Sequence, residues 1–99
     1  MNHQQISIVC EIQAKPETKA QVLKALTHLA ELTRKEEGNI NYDLHLACSN
    51  DCLFLIYENW IDQQALDKHM AQDYLKAFLS KEVTLLETPI KGTICQLIK

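Results

Sequence analysis

The chain has 99 residues, 46% of them apolar and 23% charged, with a formal charge of −3; that is material for one soluble globular domain over 1–99 and none for a second. Lysines and acids mix along it with no basic stripe or polybasic run, which sets aside nucleic acid and anionic membrane as partners. The longest apolar run, LFLIY at 53–57, is far short of a bilayer span, and MNHQQ has no signal-peptide core, so a cytoplasmic protein is expected.

Residues 5–14, QISIVCEIQA, alternate, with Ile6, Ile8, Cys10 and Ile12 on one side and Ser7, Val9, Glu11 and Gln13 on the other, the period of a strand. Pro16 stands where a helix can begin. Val22, Leu23, Leu26, Leu29, Ala30 and Thr33 then recur at helical intervals until Gly38 offers a left-handed stop. INYDLHLAC alternates strictly, with Ile40, Tyr42, Leu44, Leu46 and Cys48 on one face. After the polar turn of Ser49, Asn50 and Asp51, CLFLIYENW makes a third strand, so 40–60 reads as a hairpin. A loop at 49–51 sets Leu46 against Phe54, Leu44 against Ile56 and Tyr42 against Glu58. Asp62 is placed to cap a second helix carrying Leu66, His69 and Met70 on one side. Asp73 is placed to cap its continuation through Tyr74, Leu75, Phe78 and Leu79, and the pattern persists to about Leu86 before Pro89 breaks it. IKGTICQLIK closes the chain as a fourth strand in which Gly92 marks a bulge or bend.

The order is β-α-β-β-α-β, an α+β ferredoxin-like arrangement: an antiparallel four-stranded sheet with both helices on one face. The other face is left uncovered, yet the third strand is apolar on both sides. Leu53, Leu55 and Tyr57 stand opposite Phe54 and Ile56, and Val9 and Ala47 add to the uncovered side. Exposed apolar sheet marks an interface, and a homodimer joined through Leu53, Leu55 and Tyr57 is expected. A chain this short buries only about 65% of its unfolded surface alone, which adds to the case. Cys10, Cys48, Cys52 and Cys95 show neither a C-x-x-C pair nor metal-type spacing with His3, His28, His45 and His69, so no metal site is expected. Cys48 and Cys52 flank the turn and can face each other, with a free thiol pair the plainer reading.

Glu58 and Trp60 share a face with Phe54 and Ile56 and, across the hairpin, with Tyr42 and Ile40. If that face carries the helices, Glu58 is its single acid, and burying it without a partner costs several kcal/mol. Tyr42 is its nearest partner by register and His69 the next. Acid, phenol, imidazole and indole can therefore converge on one pocket between sheet and helices. The same residues also allow an ordinary structural reading: a strand-end glutamate bonded to a neighbour, a core tryptophan and a satisfied core histidine. No G-x-S-x-G elbow or Gly-rich phosphate loop occurs in a chain with two glycines.

EGNINYDLH at 37–45, LIYENW at 55–60 and ALDKHM at 65–70 resemble the antibiotic biosynthesis monooxygenase domain family, whose members typically read E-G-C-x-x-Y-x-L-H, then Y-E-x-W, then A-L-x-x-H. With the element order, the likeness covers essentially the whole chain. Its motifs are specific for the family and not for a reaction. The resemblance implies a dimeric α/β barrel built by two ferredoxin-like subunits, each with a pocket between sheet and helices. For the better-understood members it implies oxidation of quinol-like or polycyclic phenolic compounds by O2 without metal or flavin, while relatives include an isomerase acting on a phosphorylated sugar derivative. Tyr42, Glu58, Trp60 and His69 match the motif positions, and Phe78 is expected to line the pocket. Asn39 replaces the cysteine or small residue of many members, and the first strand offers Ser7 and no asparagine for the pocket, unlike the haem-degrading relatives.

Triplet oxygen reacts poorly with closed-shell organics, so an enzyme without a cofactor must make its substrate the reductant by deprotonating it. On this reading His69 is the general base, Glu58 orients or charges it, and Tyr42 bonds the developing oxyanion. Trp60 and Phe78 wall the aromatic ring and exclude water. The alternatives are a non-catalytic module that binds a small hydrophobic metabolite, and an isomerase or lyase in which Glu58 and His69 shuttle a proton on a carbonyl compound. The lack of a cationic cluster speaks against a phosphorylated substrate, although Lys68 and Lys76 leave that open.

Overall fold

The computed structural model describes residues 4–98, so His3 lies outside the described residues. Along the chain run β1 (Ile6–Gln13), a 3-10 turn (Pro16–Thr18), α1 (Lys19–Thr33), β2 (Asn39–Leu46), β3 (Leu53–Trp60), α2 (Gln63–Met70), α3 (Asp73–Leu79), α4 (Glu82–Leu85) and β4 (Lys91–Gln96). The strands pair antiparallel in the order β2-β3-β1-β4. The hairpin register is the expected one: Leu46 faces Phe54, Leu44 faces Ile56 and Tyr42 faces Glu58. Two cross-sheet rows therefore look at the helices, Tyr42–Glu58–Ile8–Ile94 and Leu44–Ile56–Cys10–Gly92. Gly92 forms no bulge. It pairs regularly with Cys10, and a Cβ there would lie 3.8 Å from the Cys10 sulfur, so glycine leaves room where a bend was expected. The irregularity falls instead between Asn39 and Asn41, where β2 enters the sheet. The four-stranded sheet is open and does not close into a barrel within one chain.

α1 buries Val22, Leu26, Leu29, Ala30 and Thr33, whereas Leu23 faces outward. Gly38 stops the following turn at φ +89°, the left-handed region that glycine enters without Cβ strain. Its carbonyl accepts the Ile61 N–H at 2.9 Å, which ties the end of the first helical segment to the start of the second. Asp62 caps α2 as expected, accepting the Ala65 N–H at 2.9 Å.

The long second helix of the sequence reading is broken into α2, α3 and α4. Leu66 and Leu75 are nine positions apart, which on one continuous helix would put them about 180° apart around the axis. The same holds for His69 and Phe78. Both pairs must face the sheet, so the chain closes α2 with short bonds from Ala71 and Gln72, takes one extended residue at Gln72 (ψ 136°), and restarts in phase. Asp73 is the first residue of α3 and makes no side-chain cap, another departure from expectation.

The larger core cluster joins Ile12, Val22, Leu26, Phe54, Ile56 and Leu75; a smaller one joins Ile8, Trp60, Ala65 and Leu66. Each such side chain contributes roughly 1.5–3 kcal/mol by leaving water. On the opposite sheet face Leu53 and Leu55 are half-buried, while Val9 and Tyr57 are exposed. One end of that face is polar: the Ser7 hydroxyl donates to Asn59 Oδ1, and Asn59 Nδ2 donates to Asn41 Oδ1 at 2.8 Å. Cys48 is exposed and Cys52 buried, and both are free thiols. No helix among the described residues is long and apolar enough to cross a membrane.

Candidate active site

Strand alternation puts Glu58 and Trp60 on the helix side, where they are 3% and 0% exposed, and α2 brings His69, 2% exposed, over them. Glu58 Oε1 accepts the Trp60 indole N–H at 2.8 Å, and Oε2 accepts the Cys10 thiol at 3.8 Å. The indole packs against the imidazole with ring centres 4.7 Å apart and planes at 33°. Tyr42 meets the same imidazole edge-on at 5.9 Å. The four motif residues thus surround one another, and Phe78 joins them at the cavity wall.

Their bonding differs from the expected pattern in two ways. Tyr42 lies directly across from Glu58, yet the carboxylate is bonded by the indole and the thiol. His69 likewise takes a different acid: its Nδ1 is 2.8 Å from Glu36 Oε2, which also accepts the Tyr74 hydroxyl. Glu36 sits in the turn after α1, its side chain 9% exposed, and its Oε1 is buried with no hydrogen-bond partner among the described residues. The sequence reading missed Glu36, Tyr74 and Cys10. A turn has no period to betray an inward side chain, but a left-handed glycine two residues later, folding the turn back onto α2, was a usable signal.

Burial pushes the Glu58 carboxyl above its ordinary value, against the Trp60 hydrogen bond, the His69 charge and the Cys10 thiol; the Glu36 carboxylate adds to the rise. Burial and then the Glu58 charge push the Cys10 thiol up to about 12, and the same two causes carry the Tyr42 phenol well above its usual range. Cys10 and Tyr42 are therefore proton-bearing donors at neutral pH.

Beside this cluster, between the sheet and α2–α3, lies a cavity of about 560 Å³, a size that holds small ligands. Cys10, Tyr42, Glu58, His69, Phe78 and Gly92 are among its lining residues. Trp60 is not, so the expected aromatic wall stands one layer back, where it supports His69 and Glu58. Among the described residues no lysine or arginine lines the cavity, and Lys68 and Lys76 are exposed and outside its lining. Ser7 lies on the far face of the sheet, bonded to Asn59. Among the described residues no three His, Cys, Asp or Glu side chains are grouped to hold a metal ion.

An open antiparallel sheet with helices on one face, and an imidazole bonded to a buried carboxylate at the edge of a largely apolar hollow, define a ferredoxin-like domain with a pocket between sheet and helices. The chain belongs to the antibiotic biosynthesis monooxygenase family, whose model matches residues 5–81. It is similar to the Bacillus subtilis (strain 168) protein that bears the name "Putative monooxygenase YcnE", with 32% identity over 79 residues, covering 80% of this chain and 83% of that one. Among solved structures it is similar to a conserved protein from Methanosarcina mazei Go1, at 27% identity and TM-score 0.90 over 97% of this chain and 95% of that one. Rv0793 from Mycobacterium tuberculosis, at 19% identity and TM-score 0.91 over 96% of each chain, shares the fold.

Proposed function

We propose that the chain is a monooxygenase that oxidises a small quinol-like or phenolic aromatic compound with O2, the substrate itself serving as reductant. The observation that carries this reading is the buried His69, held at Nδ1 by Glu36, on the wall of a largely apolar hollow lined by acids and, among the described residues, by no lysine or arginine. Such a hollow favours an uncharged ring over a phosphorylated one.

Glu36 fixes the ring of His69 and leaves Nε2 to take a proton from the substrate hydroxyl. The Tyr42 phenol, kept protonated by its burial, donates to the oxyanion so formed. The electron-rich ring reduces O2 and couples with it, and the resulting ring peroxide loses water. A quinol and O2 then give a hydroxyquinone and water, with atoms and electrons in balance. We also propose that two copies pair through the uncovered sheet face around Leu53, Leu55 and Tyr57, whose apolar centre suits that contact.

The test is oxygen uptake by the metal-free protein with benzo- and naphthohydroquinones, corrected for autoxidation and followed by transfer of labelled oxygen from O2 into the product. His69→Ala is expected to slow turnover by about 10²–10⁴-fold, and Glu36→Gln by less. Equal turnover in wild type and His69→Ala overturns the role of His69. Saturable binding with no oxygen uptake for any substrate makes the pocket a binding module instead.

A further inference from the structure

On the solvent side of the helix layer, α1 and α3 leave a second hollow of about 470 Å³. Its floor is apolar, built from Ala25, Leu29, Leu32, Phe78 and Leu85. Its rim carries Lys24, His28 and Lys81, and among the described residues no acid lines it. In a chain with 13 acids against 10 lysines and arginines, that is a local reversal of sign. Among the described residues neither Lys24 nor Lys81 has a carboxylate within 4.0 Å. His28 meets Glu31 only at 3.9 Å, with both side chains more than half exposed, a pair worth little in water.

We infer that this groove is a second binding site, for an amphipathic organic anion: an aromatic or aliphatic body lying on the floor, with a carboxylate or sulfonate head at Lys24 and Lys81. The size falls within the range of small-ligand sites, and an apolar floor under unpaired cations is the complement of such a molecule. The two hollows stand back to back, since Leu29 and Phe78 line both. They select opposite ligands. The inner cavity carries Glu58, Asp67 and Glu82 and, among the described residues, no lysine, so it repels the anion that the outer groove attracts. The inference does not depend on the oxidation proposed above.

The probe is anilinonaphthalene sulfonate, followed by fluorescence, with uncharged N-phenylnaphthylamine as its twin. Lys24→Ala and Lys81→Ala, both at exposed positions, are each expected to weaken the sulfonate about fivefold, the upper end for an exposed ion pair, and to leave the neutral twin unchanged. Ala77→Trp fills the groove from an exposed position outside the inner cavity and is expected to abolish binding, while Gly92→Leu, which fills only the inner cavity, leaves it intact. Thermal melts confirm that each variant folds. The inference is overturned if the wild type does not bind the sulfonate, if the lysine variants bind it as tightly, if the twin binds equally well, or if Gly92→Leu rather than Ala77→Trp removes binding.

Discussion

Replacing Gly38 by alanine strikes the joint that holds Glu36 over His69. Two costs follow from the geometry. At φ +89° an alanine bears the left-handed strain of about 1–2 kcal/mol. Its new Cβ would also stand 2.5 Å from the Ala65 Cβ and 3.2 Å from Ile61 Cγ1. Ordinary carbon contact is about 3.5–4 Å, so α2 and the turn must part by roughly 1 Å. Ala65 cannot swing aside because its Cβ is fixed to the helix backbone, and overpacking of this kind costs about 1–3 kcal/mol. The sum is about 2–5 kcal/mol, against a total stability of about 5–15 kcal/mol. The melting temperature should fall by at least about 8 °C, given about 4–8 °C per kcal/mol for a domain of this size. Gly92→Ala is the control: its Cβ would meet only the Cys10 sulfur at 3.8 Å, so it should be neutral or slightly stabilising. In the Gly38→Ala background, Ala65→Gly removes the clash and leaves the strain, separating the two costs after allowance for about 1 kcal/mol for glycine in a helix. Equal melting temperatures for Gly38→Ala and Gly92→Ala would refute the reasoning.

The pH dependence of stability should carry the signature of Glu58. Its carboxyl is raised from the ordinary 4.5, so the stability it contributes is present in full below that value and is lost as pH rises through the folded value. Urea melts from about pH 4 to about pH 8 should show wild type losing stability relative to Glu58→Gln, by about 1.36 kcal/mol for each unit of elevation; a constant difference or a gain contradicts this. Cys10, with its thiol pushed up to about 12, should carry about one thiolate in ten thousand at pH 8. Peptide mapping after iodoacetamide should find exposed Cys48 modified first and half-buried Cys10 far more slowly, and equal rates would count against a thiol that holds its proton. Leu55→Lys places a charge at the centre of the proposed sheet-to-sheet contact and should turn a dimer into a folded monomer by analytical ultracentrifugation; an unchanged dimer puts the interface elsewhere. Glu36→Ala leaves the His69 Nδ1 without its partner and should cost about 1–3 kcal/mol in chemical denaturation, with Glu36→Gln recovering part of it.

Strand sidedness was legible because a period of two leaves no freedom: once Phe54 and Ile56 face the core, Glu58 and Trp60 must follow, and a short turn then fixes Tyr42 opposite Glu58. Gly38 and Asp62 were equally readable, since each answers a local backbone need. The helical half was less so. Apolar residues from Leu66 to Leu86 are frequent enough to look continuous, and only the phase between Leu66 and Leu75 reveals the break at Gln72. The identity of the His69 partner was hidden for another reason. Register orders residues within a sheet but says nothing about which turn passes above a helix, so it points to the strand acid Glu58 and gives no sign of Glu36. Trp60 was read as a wall because it shares a face with Glu58, while in three dimensions Ile8, Ala65 and Leu66 close over it.

The chain has one tryptophan, so its indole N–H gives a single resonance, bonded to Glu58 at 2.8 Å and packed on His69 at 4.7 Å. Titrating a naphthohydroquinone into the labelled protein without oxygen should move that resonance saturably, with the same midpoint as oxygen uptake shows when air is restored. A resonance that stays fixed while hydroquinone turnover proceeds would place the chemistry away from this cavity and contradict the account.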